Sequence, residues 1–244
     1  MATEYAGRKI VTDGLVLCLD AADRNSYVSG STTWNSVAGN NLSGSLINGP
    51  TFGSNNGGAI TFDGTNDYFI GSSGSYASVG SGPFTHDVWF YQPTTLGFTG
   101  SFGGKYGVLF SGNAQSTFEC FLYDNITGSG VPSSLIIGSY GGGTIGSVSG
   151  VGIYSFPIQT WHNVTITRNV TGNILVYKNT SIIATGSLTN NFANAPLYLA
   201  GAPINSLYAA YVNIRYGSFK SYNRALSASE VLQNFNAQKS RFGL

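Results

Sequence analysis

The carboxylates, histidines and cysteines that most often carry acid–base or metal chemistry are few in this 244-residue chain: ten Asp and Glu, two His and two Cys. Only three of the carboxylates are glutamates: Glu4, Glu119 and Glu230. Glu119 and Asp124 form the one close pair in a strand-rich run. Along an extended chain they stand about 16 Å apart and on opposite faces, whereas glycoside hydrolysis needs two carboxyls roughly 5–9 Å apart. Glu119 therefore reads as a solvent-face residue. His86 shares a strand face with Val88 and Phe90 and reads as a packed, hydrogen-bonded imidazole. His162 follows Trp161 at a strand start, again with no metal-ligand spacing. Gly141 to Gly146 matches G-x-G-x-x-G by letter, but the Ser/Gly/Val run after it cannot supply the helix a nucleotide site requires. Two oxygen-rich turns are candidates for Ca²⁺: Asp20 and Asp23 after the first strand, and Asp63 with Asp67 in a tight turn. The same residues are also ordinary turn formers through side chain-to-backbone hydrogen bonds.

The aromatic residues carry the second candidate chemistry. Trp89 and Trp161 sit in or beside regular strands and read as core. Trp34 lies in a polar stretch, where it either stacks on a sugar ring or covers a sheet edge. With Tyr140 and Tyr208 it forms the candidate glycan-stacking set. Tyr154, Tyr211 and Tyr216 are further candidates for an exposed face. Aromatics with polar rims suit sugars or protein neighbours equally.

These residues must be positioned by strands. Charged residues make up only 9% of the chain and balance to +1, which excludes a nucleic-acid surface built on clustered cations. Short apolar runs recur between Gly, Asn and Ser turns, among them Gly14 to Leu19, Phe84 to Tyr91, Thr117 to Tyr123 and His162 to Arg168. In Asn163 to Thr167, Val164 and Ile166 share one face and the threonines the other, the pattern of a half-buried strand. One helix is expected, over 228–238: Ser227 caps the N3 amide, Glu230 reaches back to it, and Val231, Leu232 and Phe235 form the apolar stripe. On that stripe, Leu232→Asp is expected to cost several kcal/mol. The reading is all-β: a two-sheet antiparallel jelly-roll sandwich with one short C-terminal helix, roughly 12–15 strands, and the first and last long strands as neighbours. Residues 1–13 form an N-terminal arm and 14–244 a single domain. No run reaches the roughly 18 apolar residues of a membrane span, and no signal peptide is expected from the N-terminal pattern. Cys18 and Cys120 read as two buried thiols.

Several of these runs resemble one family. Gly14 to Asp23, Thr33-Trp34-Asn35, Ile60 to Tyr68, Trp161-His162-Asn163-Val164 and Tyr222 to Phe235 look like the motifs of laminin-G-like, concanavalin-A-like domains in tailed-phage virion proteins. The resemblance implies a concanavalin-A-like jelly roll. The family's hydrolase branch carries two Glu flanking an Asp on its central strand, and no such triplet occurs here, so hydrolase activity is not implied. What it implies instead is a non-catalytic virion accessory protein, a capsid decoration or tail-associated subunit, assembled in the host bacterial cytoplasm. The alternative is a carbohydrate-binding module for cell-surface glycans, with a glycoside hydrolase behind both. Expected partners are other virion proteins, host-surface glycans and further copies of the chain, with no nucleic acid and no membrane insertion. Tyr5, Arg8 and Lys9 are the candidate attachment residues of the arm. No cofactor is expected beyond the weak Ca²⁺ candidates.

Overall fold

The computed structural model describes residues 4–5, 8–72, 80–97, 105–112, 116–124, 131–132, 134–140, 156–201 and 210–244. The Gly141–Gly146 run, Tyr154, Tyr208 and the side chains of Tyr5, Arg8 and Tyr140 lie outside the described residues. Seventeen strands appear among the described residues. In chain order they are β1 (Glu4–Tyr5), β2 (Arg8–Lys9), β3 (Leu15–Asp20), β4 (Thr33–Asn35), β5 (Ser43–Ile47), β6 (Thr51–Gly53), β7 (Ala59–Asp63), β8 (Tyr68–Gly71) and β9 (Phe84–Tyr91). There follow β10 (Lys105–Ser111), β11 (Thr117–Asp124), β12 (Ser134–Tyr140), β13 (Trp161–Arg168), β14 (Asn173–Lys178), β15 (Ser181–Ser187), β16 (Tyr198–Leu199) and β17 (Asn213–Tyr222). The count exceeds the expectation because β1, β2, β4, β6 and β16 are two or three residues long, too short to show a periodicity in sequence.

Two antiparallel sheets form the sandwich. The first runs β12-β11-β10-β16-β8-β5-β4 and the second β15-β14-β13-β9-β17-β7-β6. The ten-residue β17 organises the second sheet. One edge pairs with β9; the other pairs with β7 over Asn213 to Tyr216 and with β3 over Ser218 to Tyr222. The first and last long strands are thus neighbours, as expected. Between the sheets lies one apolar core in which Phe62, Phe69, Phe84, Phe90, Phe110, Phe118, Val164, Ile166, Ile214 and Phe219 are fully buried. Burial on this scale is the dominant favourable term in folding. His86 sits inside it, its Nδ1 3.1 Å from Ser221 Oγ. Cys18 and Cys120 are both buried and neither is in a disulfide.

The helix α1 spans Ala228–Gln238. Its capping box is present as read from the sequence: Ser227 Oγ accepts from the Glu230 amide and Glu230 Oε2 accepts from the Ser227 amide. Arg224 clasps the same carboxylate with two nitrogens at 3.0 and 2.6 Å. That guanidinium, with the cap amide, brings the Glu230 carboxyl down to about 2.

Two expectations fail on the helix side. Leu232 is 46% exposed; the buried residues are Val231, Asn234, Phe235, Ala237 and Gln238. Leu232→Asp is therefore expected to change stability by no more than about 0.5 kcal/mol, as at an ordinary surface position, measured by urea denaturation. Nor is β13 half-buried. All eight of its residues are buried, threonines included, because α1 and the turn Lys239–Phe242 cover the outer face of the second sheet. Trp89 stacks between Phe235 and Phe242, with ring centroids at 5.4 and 4.4 Å.

The described residues of the N-terminal segment lie against the helix side of the domain. β1 and β2 pair with each other and lie alongside α1. Gln233 Nε2 donates to the Lys9 carbonyl at 3.0 Å, although the Lys9 side chain is exposed. Ile10 and Val11 are buried, and the Val11 amide donates to Asn234 Oδ1. Residues 10 and 11 thus pack against the helix. No helix among the described residues is long and apolar enough to cross a membrane.

Candidate functional site

Most sequence-level candidates turn out to be structural. Trp34 is fully buried and meets Phe69 edge-on at 5.8 Å, so its ring has no face open to a sugar. Tyr216, too, is fully buried, its hydroxyl donating to the Leu109 carbonyl. Asp20 is committed to folding: Oδ1 accepts from Arg241 Nη1 at 2.6 Å and Oδ2 from Gln238 Nε2 at 3.0 Å. Asp23 Oδ1 accepts the Asn25 amide at 2.9 Å, a turn bond. Asp20/Asp23 and Asp63/Asp67 stay as two separate turns, and no three His, Cys, Asp or Glu side chains gather as for a metal among the described residues. His162 Nε2 lies 2.9 Å from the Pro157 carbonyl and 3.1 Å from Thr160 Oγ1.

Glu119 is not on a solvent face. Phe118, Cys120 and Leu122 point into the core between the sheets, and Glu119 points the other way yet is only 8% exposed. Ser111 Oγ, directly across the strand pair, donates to it at 3.2 Å. Burial pushes the carboxyl up to about 7, against the lowering effect of that hydroxyl. The pleat places Asp124 on the opposite face.

What the fold does bring together is an open cleft of about 460 Å³, lined by Asp63, Gly64, Thr65, Thr94, Thr95, Gly97, Tyr211 and Asn213. Three segments build it: the turn between β7 and β8, the loop after β9, and the run into β17. Asp63 and Asn213 face each other as a cross-strand pair. Gly64 adopts φ +79° and passes so close to β17 that a Cβ there would lie 2.6 Å from the Asn213 nitrogen; only glycine fits both demands. Gly201 lets Tyr211 lie flat on the backbone, since a Cβ there would sit 2.2 Å from its ring. Tyr211 in turn touches Tyr68 at 6.4 Å, and Tyr68 stacks on Tyr198 at 6.1 Å. Gln92 Nε2 donates to the Thr94 carbonyl at 2.7 Å and fixes the third wall.

Asp63 is exposed, and its Oδ1 accepts the Thr65 amide at 2.7 Å and the Asn66 amide at 3.4 Å. Partial burial works against its charge, but the Thr65, Asn66 and Asp67 amides outweigh it and hold the carboxyl below the usual Asp range. Asp67 is shifted the other way, first by burial and then by the charge of Asp63, although its Oδ2 accepts the Asp63 amide. Asn213 has a buried Oδ1 with no protein donor. The cleft therefore presents an ionised acceptor, a neutral amide, short hydroxyls and a tyrosine ring. That is the equipment for binding a polyhydroxylated ligand. Of these residues, sequence reasoning singled out Asp63 as a turn or calcium residue and Tyr211 as exposed. Thr94, Thr95 and Asn213 carry no local signal that would mark them.

An all-β sandwich of this order, closed by one C-terminal helix, is a lectin-like architecture. A family model described as the Concanavalin A-like lectin/glucanases superfamily matches residues 63–232, and the chain belongs to that family. No curated protein matches the chain by sequence. Among solved structures, the chain is similar to domain 4 of an extracellular GH43 arabinanase from Geobacillus stearothermophilus in complex with arabinotriose: TM-score 0.65, 16% identity, 92% of this chain and 98% of that one. It is also similar to a botulinum neurotoxin type C structure whose cell entry depends on two ganglioside molecules: TM-score 0.66, 13% identity, 93% and 52%. A Trypanosoma rangeli sialidase in complex with 2,3-difluorosialic acid gives TM-score 0.66, 15% identity, 96% and 34%. The chain thus spans about half of the neurotoxin chain and a third of the sialidase, and at these identities the likeness concerns the fold.

Proposed function

We propose that this domain is a non-catalytic carbohydrate-recognition module that holds a sugar in the cleft between Asp63, Tyr211 and Asn213. The observation that carries the reading is the cross-strand pair of an exposed, ionised carboxylate and a half-buried amide, set beside a tyrosine ring in an open cleft. Arabinotriose, a neutral sugar, on the arabinanase domain supports a sugar as the ligand class. Glycan-array and calorimetric binding test it. Tyr211→Ala is expected to weaken the strongest array hit by roughly tenfold, about 1.4 kcal/mol, while the variant stays folded by circular dichroism. Unchanged affinity in that variant overturns the cleft as the site. Two features of the carboxylates support the non-catalytic reading: Glu119 has Asp124 on the opposite face, and Asp67 accepts the backbone amide of Asp63. Polysaccharide digests are expected to release no reducing ends; release that vanishes in Glu119→Gln would make the protein a hydrolase.

The motif resemblance to tailed-phage domains, together with a surface poor in charge, favours a virion as the setting for this module. There it is an accessory component of capsid or tail, self-associated and displayed in many copies. Multiple weak sugar contacts on one particle reinforce one another through effective concentration. A mass-spectrometric inventory of purified particles tests this setting independently of the cleft.

A further inference from the structure

We propose that Asp63 makes the cleft a charge filter, admitting neutral sugars and sugars with a protonated amine while refusing those that carry a carboxylate. The inference rests on the glycan reading above and deepens it to a ligand class. Its basis is the sign of the charges around the cleft. Among the described lining residues Asp63 is the only carboxylate, and it is exposed. Two amides of its own turn orient it through Oδ1, so its charge is fixed in place. Asp67 adds a second carboxylate immediately behind it, accepting the Asp63 amide.

No cation offsets them among the described residues. The other lining groups are a phenol, an amide, hydroxyls and glycine backbone. Arg215 is the next outward residue after Asn213 on β17, but its guanidinium lies over the Tyr91 ring at 5.0 Å, and no ion pair joins it to Asp63 or Asp67. Lys105 stands opposite Asp124 in the β10–β11 register and does not line the cleft. The Asp63 carboxyl sits below its ordinary range, so it is charged throughout neutral pH.

A sugar carboxylate placed against this lining would meet like charge with nothing to neutralise it. Partial shielding from water makes such repulsion several-fold stronger than in bulk solvent. Sugar hydroxyls meet no such penalty, because they can donate to the exposed Asp63 carboxylate. An ammonium gains from the same field. Like-charge juxtaposition is a common way of rejecting a wrong partner.

The test uses the full chain on an array that pairs neutral oligosaccharides with their uronate- or sialate-capped counterparts and includes glucosamine oligomers. In the wild type, acid capping is expected to weaken binding roughly tenfold at low salt, and high salt should narrow the gap, as screening requires. Asp63→Asn should lose affinity for neutral sugars and yet bring the ratio of neutral to acid-capped binding close to one. Acid-capped forms that bind the wild type as well as neutral ones overturn the filter. So does a ratio that ignores salt, a readout that needs no variant should Asp63→Asn fold poorly. Binding that discriminates against acids but is untouched by Tyr211→Ala also overturns it, because the selectivity then resides elsewhere. No glycan binding of any kind overturns the underlying reading, and the filter with it.

Discussion

Lys220→Met is expected to cost about 3–5 kcal/mol, the usual consequence of stranding one partner of a buried ion pair. Lys220 and Asp87 are both fully buried, with Nζ 2.9 Å from Oδ1. Asp87 also accepts from Thr165 Oγ1 at 3.1 Å and from Asn163 Nδ2 at 3.4 Å. Lys220 Nζ donates further to Gln238 Oε1 at 2.7 Å and to Ser218 Oγ at 3.3 Å. The network then passes through Gln238 Nε2 to Asp20 and ends on Arg241, which binds Asp20 and donates to the Asn56, Gly58 and Gly217 carbonyls. One polar layer therefore ties the helix and the C-terminal turn to β3, β9, β13 and β17. Methionine keeps the stem volume of lysine but leaves the Asp87 charge without its countercharge. The double variant Lys220→Met with Asp87→Leu is expected to recover most of the loss, since a well-packed apolar pair often matches a buried salt bridge. Urea unfolding of the two single variants and the double variant measures this directly. A single-variant cost below about 1 kcal/mol would show that the pair does not hold the helix down.

That network marks the boundary of what could be read from the chain. Phe84–Tyr91 and Ala228–Gln238 were legible to the residue, because an aromatic run and a Ser-x-x-Glu capping box are local signals. Leu232 was misjudged because apolarity was followed instead of helical phase. The buried positions 231, 234, 235 and 238 fall on one face at 100° per residue, but two of them are Asn234 and Gln238. Their burial makes sense only once Tyr222, Val11, Asp20 and Lys220 are known to wait beneath them. The buried charges share the same difficulty: Asp87 and Lys220 are 133 residues apart, Asp20 and Arg241 221. Trp34 was read from its polar neighbours, yet a three-residue strand needs only its middle side chain to reach the core. In the cleft, Asp63 announced its turn, while Asn213 became relevant only through the register that sets β17 against β7.

Glu119→Gln is expected to gain stability over the wild type as pH rises from 4.5 to above 7, by about 3 kcal/mol across that window. The buried carboxyl titrates near 7 in the fold and near 4.5 in the unfolded chain. Between those values the native state holds a proton that the unfolded state has released. Stability contributed by the neutral carboxyl is therefore complete below pH 4.5 and lost as pH climbs through 7. The histidines act in the opposite sense. Burial pushes His86 down to about 3; burial, then the charge of Lys178, bring His162 to about 4 despite the Pro157 carbonyl. Both are neutral in the fold while the unfolded chain protonates them below about 6.5, so their contribution is present above 6.5 and disappears as pH falls towards 3–4. In the wild type one of these two proton uptakes is cancelled by Glu119 between pH 4.5 and 6.5. Removing the carboxyl should therefore steepen the rise of stability with pH by about 1.4 kcal/mol per pH unit between 4.5 and 6.5. The remaining carboxylates titrate alike in both proteins and drop out of the comparison. Denaturant midpoints for wild type and variant at pH 4.5, 6 and 8 provide the check. A stability difference that stays constant across those values would mean that Glu119 is ionised in the fold, and the wall that buries it would have to open to water.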